Sequence, residues 1–256
     1  MKLAILSDIH GNSLALDAVL ADIQAQGGVD NVWLLGDYVA IGPDPVGVLE
    51  RLSQLPPQTV FIRGNTDRYI SNGDRPGPTL AEIEADTTLL ERFKMMNEGF
   101  AWTQGMVTAA GWFDWLAALP LEQRLTLPDG RQALAVHASP GTDESWGLSP
   151  KSTDEQLRKL FGKCDADLVF VGHTHYAVER HVDGRHLVNP GSLSNPNTAD
   201  KRANYILLHA DPNGYTITYR QAAYDWQALL RQAEQIHYPS APFLKWLFTR
   251  LDDQTP

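Results

Sequence analysis

The feature that most constrains the fold is a rhythm in the N-terminal quarter of the chain. Three short apolar runs, Leu3-Ala-Ile-Leu6, Val32-Trp-Leu-Leu35 and Thr59-Val-Phe-Ile62, alternate with two helical signals. Runs of this length and composition read as strands buried on both faces. After the first, Asn12 is placed to cap a helix with Leu16, Val19, Leu20 and Ile23 on one face and Gly27-Gly28 at its end. After the second, Asp44-Pro45 supplies an N-cap followed by proline at the first helical position. The order β-α-β-α-β dictates parallel strands with right-handed crossovers, so all three strand ends emerge on one edge. They carry Asp8-Ile-His10, Gly36-Asp37 and Arg63-Gly-Asn65-Thr-Asp67. In open α/β sheets that edge is where ligands bind.

Two later strands end in the same way. A hairpin signal at Pro128-Asp129-Gly130 leads into Ala133-Leu-Ala-Val136 and then His137, and Leu168-Val-Phe-Val171 leads into Gly172-His-Thr-His175. If the chain stays extended there, His173 and His175 point to the same side. His-x-His alone is a weak metal signal, but the strand ends together offer Asp8, His10, Asp37, Asn65, His137, His173 and His175. That is a set of oxygen and nitrogen donors without a thiolate, larger than one tetrahedral ion uses and suited to two ions sharing a carboxylate. The imidazoles argue for a transition metal over magnesium; manganese is the first expectation, with iron, zinc, nickel or cobalt as alternatives. Two divalent ions against two carboxylates leave the site near about +2, enough to attract a phosphate.

The whole chain carries a formal charge of −10, with no basic stripe, which disfavours sequence-independent binding to nucleic acid. Its 256 residues, 43% apolar, suffice for one large α/β domain spanning 1–256. Cys164 is the single cysteine, which excludes an intrachain disulfide. The N-terminal apolar run is too short for a signal peptide and no run approaches a membrane span, so a cytoplasmic location is expected.

The segment at about 79–120 reads as helices rich in Met95, Met96, Phe100, Trp102, Trp112, Phe113 and Trp115, which serve as packing residues or as a lid over the site. Strands resume between Ala177 and Arg220, with turns at Asp183-Gly184 and Asn213-Gly214. Having no helices between them, they call for antiparallel pairing in a mixed sheet or a second sheet. The tail at about 224–256 holds two amphipathic helices broken by Pro239 and Pro242, available to pack on the body or to form a homodimer.

In order, Asp8-Ile-His10, Gly36-Asp37, Gly64-Asn-Thr-Asp67, His137 and Gly172-His-Thr-His175, followed by Asn189-Pro-Gly-Ser192, resemble the motifs of the calcineurin-like metallophosphoesterase superfamily, in its small bacterial phosphodiesterase branch. The resemblance covers roughly 1–220 and leaves the tail aside. It implies an α/β fold of four layers, two mixed β-sheets flanked by helices. It also implies one metal on Asp8, His10 and His175, a second on Asn65, His137 and His173, and Asp37 bridging them. The expected activity is hydrolysis of a small phosphorylated substrate, by a phosphodiesterase or nucleotide-type phosphatase with a hydroxide bridging the metals. A non-catalytic protein-binding scaffold on the same fold is the alternative.

One position departs from the pattern. Where relatives place a histidine near the leaving group, this chain has Thr66, which with Asp67 marks the candidate catalytic position, although a threonine hydroxyl is no general acid near neutral pH. Gly36-Asp-Tyr-Val-Ala-Ile-Gly42 lacks the arginine of the protein phosphatases, which excludes that reading. Tyr38 is placed to stack on a nucleobase or to sit exposed in its loop, and Arg63 to meet a phosphate or form a structural ion pair.

Overall fold

The computed structural model describes residues 1–251. Strands β1 (Lys2–Leu6), β2 (Asn31–Leu34) and β3 (Val60–Phe61) lie parallel, linked by helices α1 (Ser13–Ala25) and α2 (Pro45–Ser53). Asn12 caps α1 by accepting from the Ala15 N–H, and Asp44 caps α2 with Pro45 next to it. The third strand is shorter than its apolar run, because β3 pairs only with Trp33 and Leu34 before the chain turns. Helix α3 (Asn65–Asn72) begins directly after that turn, followed by α4 (Leu80–Ala85), α5 (Leu90–Ala109) and α6 (Phe113–Ala117).

Strands β4 (Glu122–Thr126) and β5 (Gln132–Val136) form the expected hairpin, and α7 (Asp154–Phe161) leads to β6 (Leu168–Val171). Next come β7 (Ala177–Val182), β8 (Arg185–Pro190), β9 (Ala203–Asp211) and β10 (Gly214–Ala222), then helices α8 (Trp226–Gln235) and α9 (Ala241–Thr249). The C-terminal strands divide between two mixed sheets: β10-β9-β1-β2-β3 and β4-β5-β6-β8-β7. The long β9 and β10 cross over to pair antiparallel on the free side of β1.

Alternation along each strand explains the layering. Leu3 and Ile5 of β1 face inward against Leu168 and Phe170 of β6, and Trp33 meets Phe170 edge-on at 6.2 Å, so the core lies between the sheets. Ala4 and Leu6 face outward onto Leu16 and Val19 of α1 and Val48 of α2, while Val169 and Val171 face Leu157 and Phe161 of α7. The result is a four-layer sandwich of helices, sheet, sheet and helix. The tail helices pack on the body through Leu229, Tyr238, Leu244 and Phe248, which gather Leu14, Ile41 and Trp102. The final 252–256 of the expected tail lie outside the described residues.

Candidate metal centre

All seven donors named from the sequence meet between the two sheets, at the ends of β1, β2, β5 and β6 and the start of α3. The strand geometry expected for His-x-His does not hold. Strand β6 stops at Val171, and His173 and His175 sit in the left-handed region at φ 70° and 62°. Instead of standing side by side they diverge: His173 turns to Asn65, and His175 to His10 and Asp8. Asp8, His10 and Asp37 are also left-handed, at φ 58°, 50° and 59°. Such backbone is costly for residues other than glycine and concentrates at functional sites.

Three of the four imidazoles are oriented by the far nitrogen. Nδ1 of His10, His137 and His175 lies 3.0, 2.6 and 3.1 Å from the carbonyls of Ala40, Leu35 and Asn195. A ring nitrogen facing a carbonyl must carry the proton, so each Nε2 presents a lone pair to the centre. The carboxylates are divided in the same way. Asp8 spends Oδ2 on the Ser7 hydroxyl at 2.5 Å and the His173 N–H at 3.2 Å, while its buried Oδ1 has no hydrogen-bond donor. Asp37 spends Oδ1 on the Thr66 N–H at 2.9 Å and aims Oδ2 at His10 and His137, 3.7 and 3.5 Å away. Gly172 permits the closest of these approaches, since a Cβ there would collide with the Ser7 Oγ.

At His10, His137 and His175 lone pairs therefore face lone pairs. Nε2 of His10 and His175 are 3.1 Å apart, and the Asn65 Oδ1 is 3.0 Å from both His137 Nε2 and His173 Nδ1. Bonds of about 2.0–2.2 Å to one ion would set neighbouring donors about 3.0–3.6 Å apart, close to what is observed. The donor set fits metal.

Burial and mutual charge shift the groups of this cluster in opposite directions. Burial alone would raise the Asp37 carboxyl, but His137, His10 and the Thr66 N–H outweigh it and hold it far below the usual range. Burial likewise opposes charge on His137, yet the Asp37 carboxylate keeps that imidazole up at about 10. His175 is raised, against burial, by Asp8. His10 goes the other way, pushed down to about 4 by burial and by the neighbouring His175 charge. The opposed shifts mark a cluster whose protons a bound cation would displace.

A calcineurin-like phosphoesterase superfamily model matches residues 1–213. The chain belongs to that superfamily. Membership brings with it metal-dependent phosphoester hydrolysis. An uncharacterized protein of Methanocaldococcus jannaschii is 26% identical, over 97% of this chain and 96% of that one. The crystal structure of a metallophosphoesterase from Sphaerobacter thermophilus superposes with TM-score 0.68 at 26% identity, covering 96% and 98% of the two chains. A symmetrical bis(5'-nucleosyl)-tetraphosphatase of Pectobacterium atrosepticum is 34% identical over 70 residues, 27% of this chain and 25% of that enzyme.

Three other residues named from the sequence take roles that the superfamily motifs alone do not reveal. Asp67 is not a reacting group. It is fully buried, and its oxygens accept from the backbone N–H groups of Asp37, Tyr38 and Gly64 at 2.8, 2.9 and 2.9 Å. Burial and the Asp37 charge push its carboxyl up, to about 7, but three donors on two oxygens favour the carboxylate. Tyr38 cannot stack on a base, because it is buried and its hydroxyl donates to the carbonyls of Leu34 and Ile62. Arg63 is paired: its Nε donates to the buried Asp143 at 2.8 Å, and Arg68 reaches the same carboxylate at 2.9 Å. Asp143 was not singled out from the sequence, since it lies in the motif-free loop 141–150 and acts across 80 residues. Asn189 was named only as part of a motif; its amide braces the histidine loop through the Gly172 carbonyl at 2.7 Å.

Among the described residues no helix is long and apolar enough to cross a membrane.

Proposed function

We propose that the protein hydrolyses small phosphate esters, as a phosphodiesterase or nucleotide-type phosphatase, with two divalent transition-metal ions, manganese foremost. Asp8, His10 and His175 hold one ion, Asn65, His137 and His173 the other, and Asp37 joins them. The observation that carries this reading is the Asp37 Oδ2, aimed at an imidazole on each side at 3.7 and 3.5 Å. When bound, the ions would activate water and neutralise charge on the phosphoryl oxygens. The chain itself fixes the donors, keeps their lone pairs inward and excludes protein donors that would compete. The partial likeness to a tetraphosphatase supports attack at phosphorus, but it spans a quarter of that enzyme and does not name the substrate.

Thr66 follows the Asn65 ligand, and its buried hydroxyl has no hydrogen-bond partner. A threonine there supplies no proton at neutral pH. The enzyme should therefore favour acidic leaving groups, hydrolysing activated aryl esters well and alkyl esters poorly. The test is a plot of log kcat/KM against leaving-group pKa for the manganese-reconstituted protein, with metal content measured by elemental analysis. A steep slope is expected, flattened in Thr66→His by up to about 10²- to 10⁴-fold gains on poor leaving groups, the usual range for a proton donor. One ion or fewer per chain, or no hydrolysis of any mono- or diester, would overturn the reading.

A further inference from the structure

Beside the ligand cluster lies a cavity of about 190 Å³. Asn65 and Thr66 form its floor, so it adjoins the donor cluster at Asn65. Met96 and Phe100 of α5 form one wall, and Tyr238 and Phe243 from the tail form another. The tail wall lies beyond residue 213, where the superfamily match ends.

The two walls are fitted to each other. Gly99 of α5 lies where the tail crosses, and a Cβ there would collide with the Ser240 Oγ. That hydroxyl donates to the Met95 carbonyl at 2.9 Å, and Tyr238 meets Trp102 edge-on at 5.0 Å. The tail is thus seated on α5 in one register, and the cavity between them is a built space.

Size and lining define what it accepts. An apolar cavity of roughly 150 Å³ holds benzene, so this one has room for a single ring with a substituent. Its walls are mainly carbon, and the polar groups among them are engaged or turned away: the Asn65 oxygen faces the histidines, the Ser240 hydroxyl donates to Met95, the Tyr69 hydroxyl donates to Glu144, and the Thr66 hydroxyl is buried. A nucleobase would bury a polar edge against those walls without partners, whereas an apolar ring asks for none. We infer that the cavity receives the apolar organic group of the ester, a single aromatic ring or a branched chain of that size. The oxygen that joins this group to phosphorus then lies toward Asn65 and Thr66, at the end of the cavity nearest the donors. This assignment rests on the phosphoesterase reading and narrows its substrates to esters of ring-sized apolar alcohols or phenols.

The test uses phosphonates, which carry the group without a cleavable ester. Methylphosphonate, phenylphosphonate and the non-cleavable phosphonate analogue of adenosine monophosphate would be compared on the manganese-loaded protein. Two readouts serve: competitive inhibition of bis(p-nitrophenyl) phosphate hydrolysis, and binding calorimetry. Phenylphosphonate should bind about 10- to 100-fold more tightly than methylphosphonate, the gain from burying one ring, and more tightly than the nucleotide. Met96→Trp, filling the cavity from α5, and Phe243→Ala, opening it from the tail, should each shrink the phenyl-to-methyl ratio. Hydrolysis of the model diester with a ratio near one, or a ratio unmoved in both variants, or a nucleotide bound more tightly than phenylphosphonate, overturns the cavity assignment and leaves the hydrolase reading standing. Loss of both manganese binding and hydrolysis in the wild type overturns both.

Discussion

The ligand loops and the helical wall of the cavity meet at Asn65 and Thr66, yet they are built by opposite means. The loops are polar and strained: five of their donors have left-handed backbone, each costing about 1–3 kcal/mol, and nearly every side chain is fixed by a hydrogen bond at its far end. The wall is apolar and relaxed, drawn from α5 and the tail, and held by ring contacts and by one hydroxyl at Ser240. The contrast follows from the tasks. Donors for a metal must be held to a few tenths of an ångström, whereas a pocket for an apolar group needs only shape. Chemistry and selectivity are thus carried by separate parts of the chain, and variants can address each without the other.

The largest effect is expected at Asp37. Asp37→Asn removes a charge felt on both sides of the cluster, so both ions should be lost from the protein and kcat/KM should fall by well over about 10²-fold, more than the loss of an outer partner. Replacing His10 or His137 alone should cost less metal, and elemental analysis of the variants side by side decides. If Asp37→Asn keeps two ions, the loops do not act as one unit. A smaller effect is expected at Asp67. In Asp67→Asn an amide nitrogen must face a backbone N–H, which should cost about 1–3 kcal/mol in denaturant unfolding and about 10- to 100-fold in metal affinity. Unchanged metal affinity would show that the loops of Asp37 and Gly64 hold their shape without the clamp.

What the sequence disclosed follows the same division. Asp8, His10, Asp37, Asn65, His137, His173 and His175 could be found because each stands at the end of an apolar run and strand order places those ends on one edge. The directions of His173 and His175 could not, since left-handed backbone in a non-glycine residue leaves no mark in composition. Asp67 was misjudged for a related reason: a carboxylate next to a catalytic position reads the same whether it faces the substrate or three backbone N–H groups. The cavity was hidden by sequence distance. Ser240 and Met95 meet across 145 residues, and nothing in either helix states the partner of its apolar face. The division of the last four strands between sheets was equally silent, because β9 pairs with β1 across most of the chain.

The smallest effect, and the one that separates the two regions most cleanly, is the pH dependence of stability in the metal-free protein. His137, raised to about 10, and His175, also raised, contribute stability that is complete below the unfolded value near 6.5 and is lost as pH rises toward 10. His10, lowered to about 4, and His173, also lowered, contribute stability present above 6.5 and lost as pH falls toward 4. The depressed Asp8 and Asp37 add a further loss below the unfolded carboxylate range, while the raised Asp67 works against the acid-side losses and flattens that arm. Because the shifts oppose one another, the profile should be a shallow dome with its maximum near pH 6.5. Manganese should abolish the alkaline arm, since metal binding takes the place of the protons that His137 and His175 would lose there. Phe243→Ala should lower the whole curve without changing its shape, because the tyrosines that line the cavity, Tyr69 and Tyr238, are both pushed up to about 12. Urea unfolding from pH 5 to 9, with and without manganese, makes the comparison. A change of shape in Phe243→Ala, or an alkaline arm that survives metal loading, would mean that the two regions are coupled and that the division argued here is wrong.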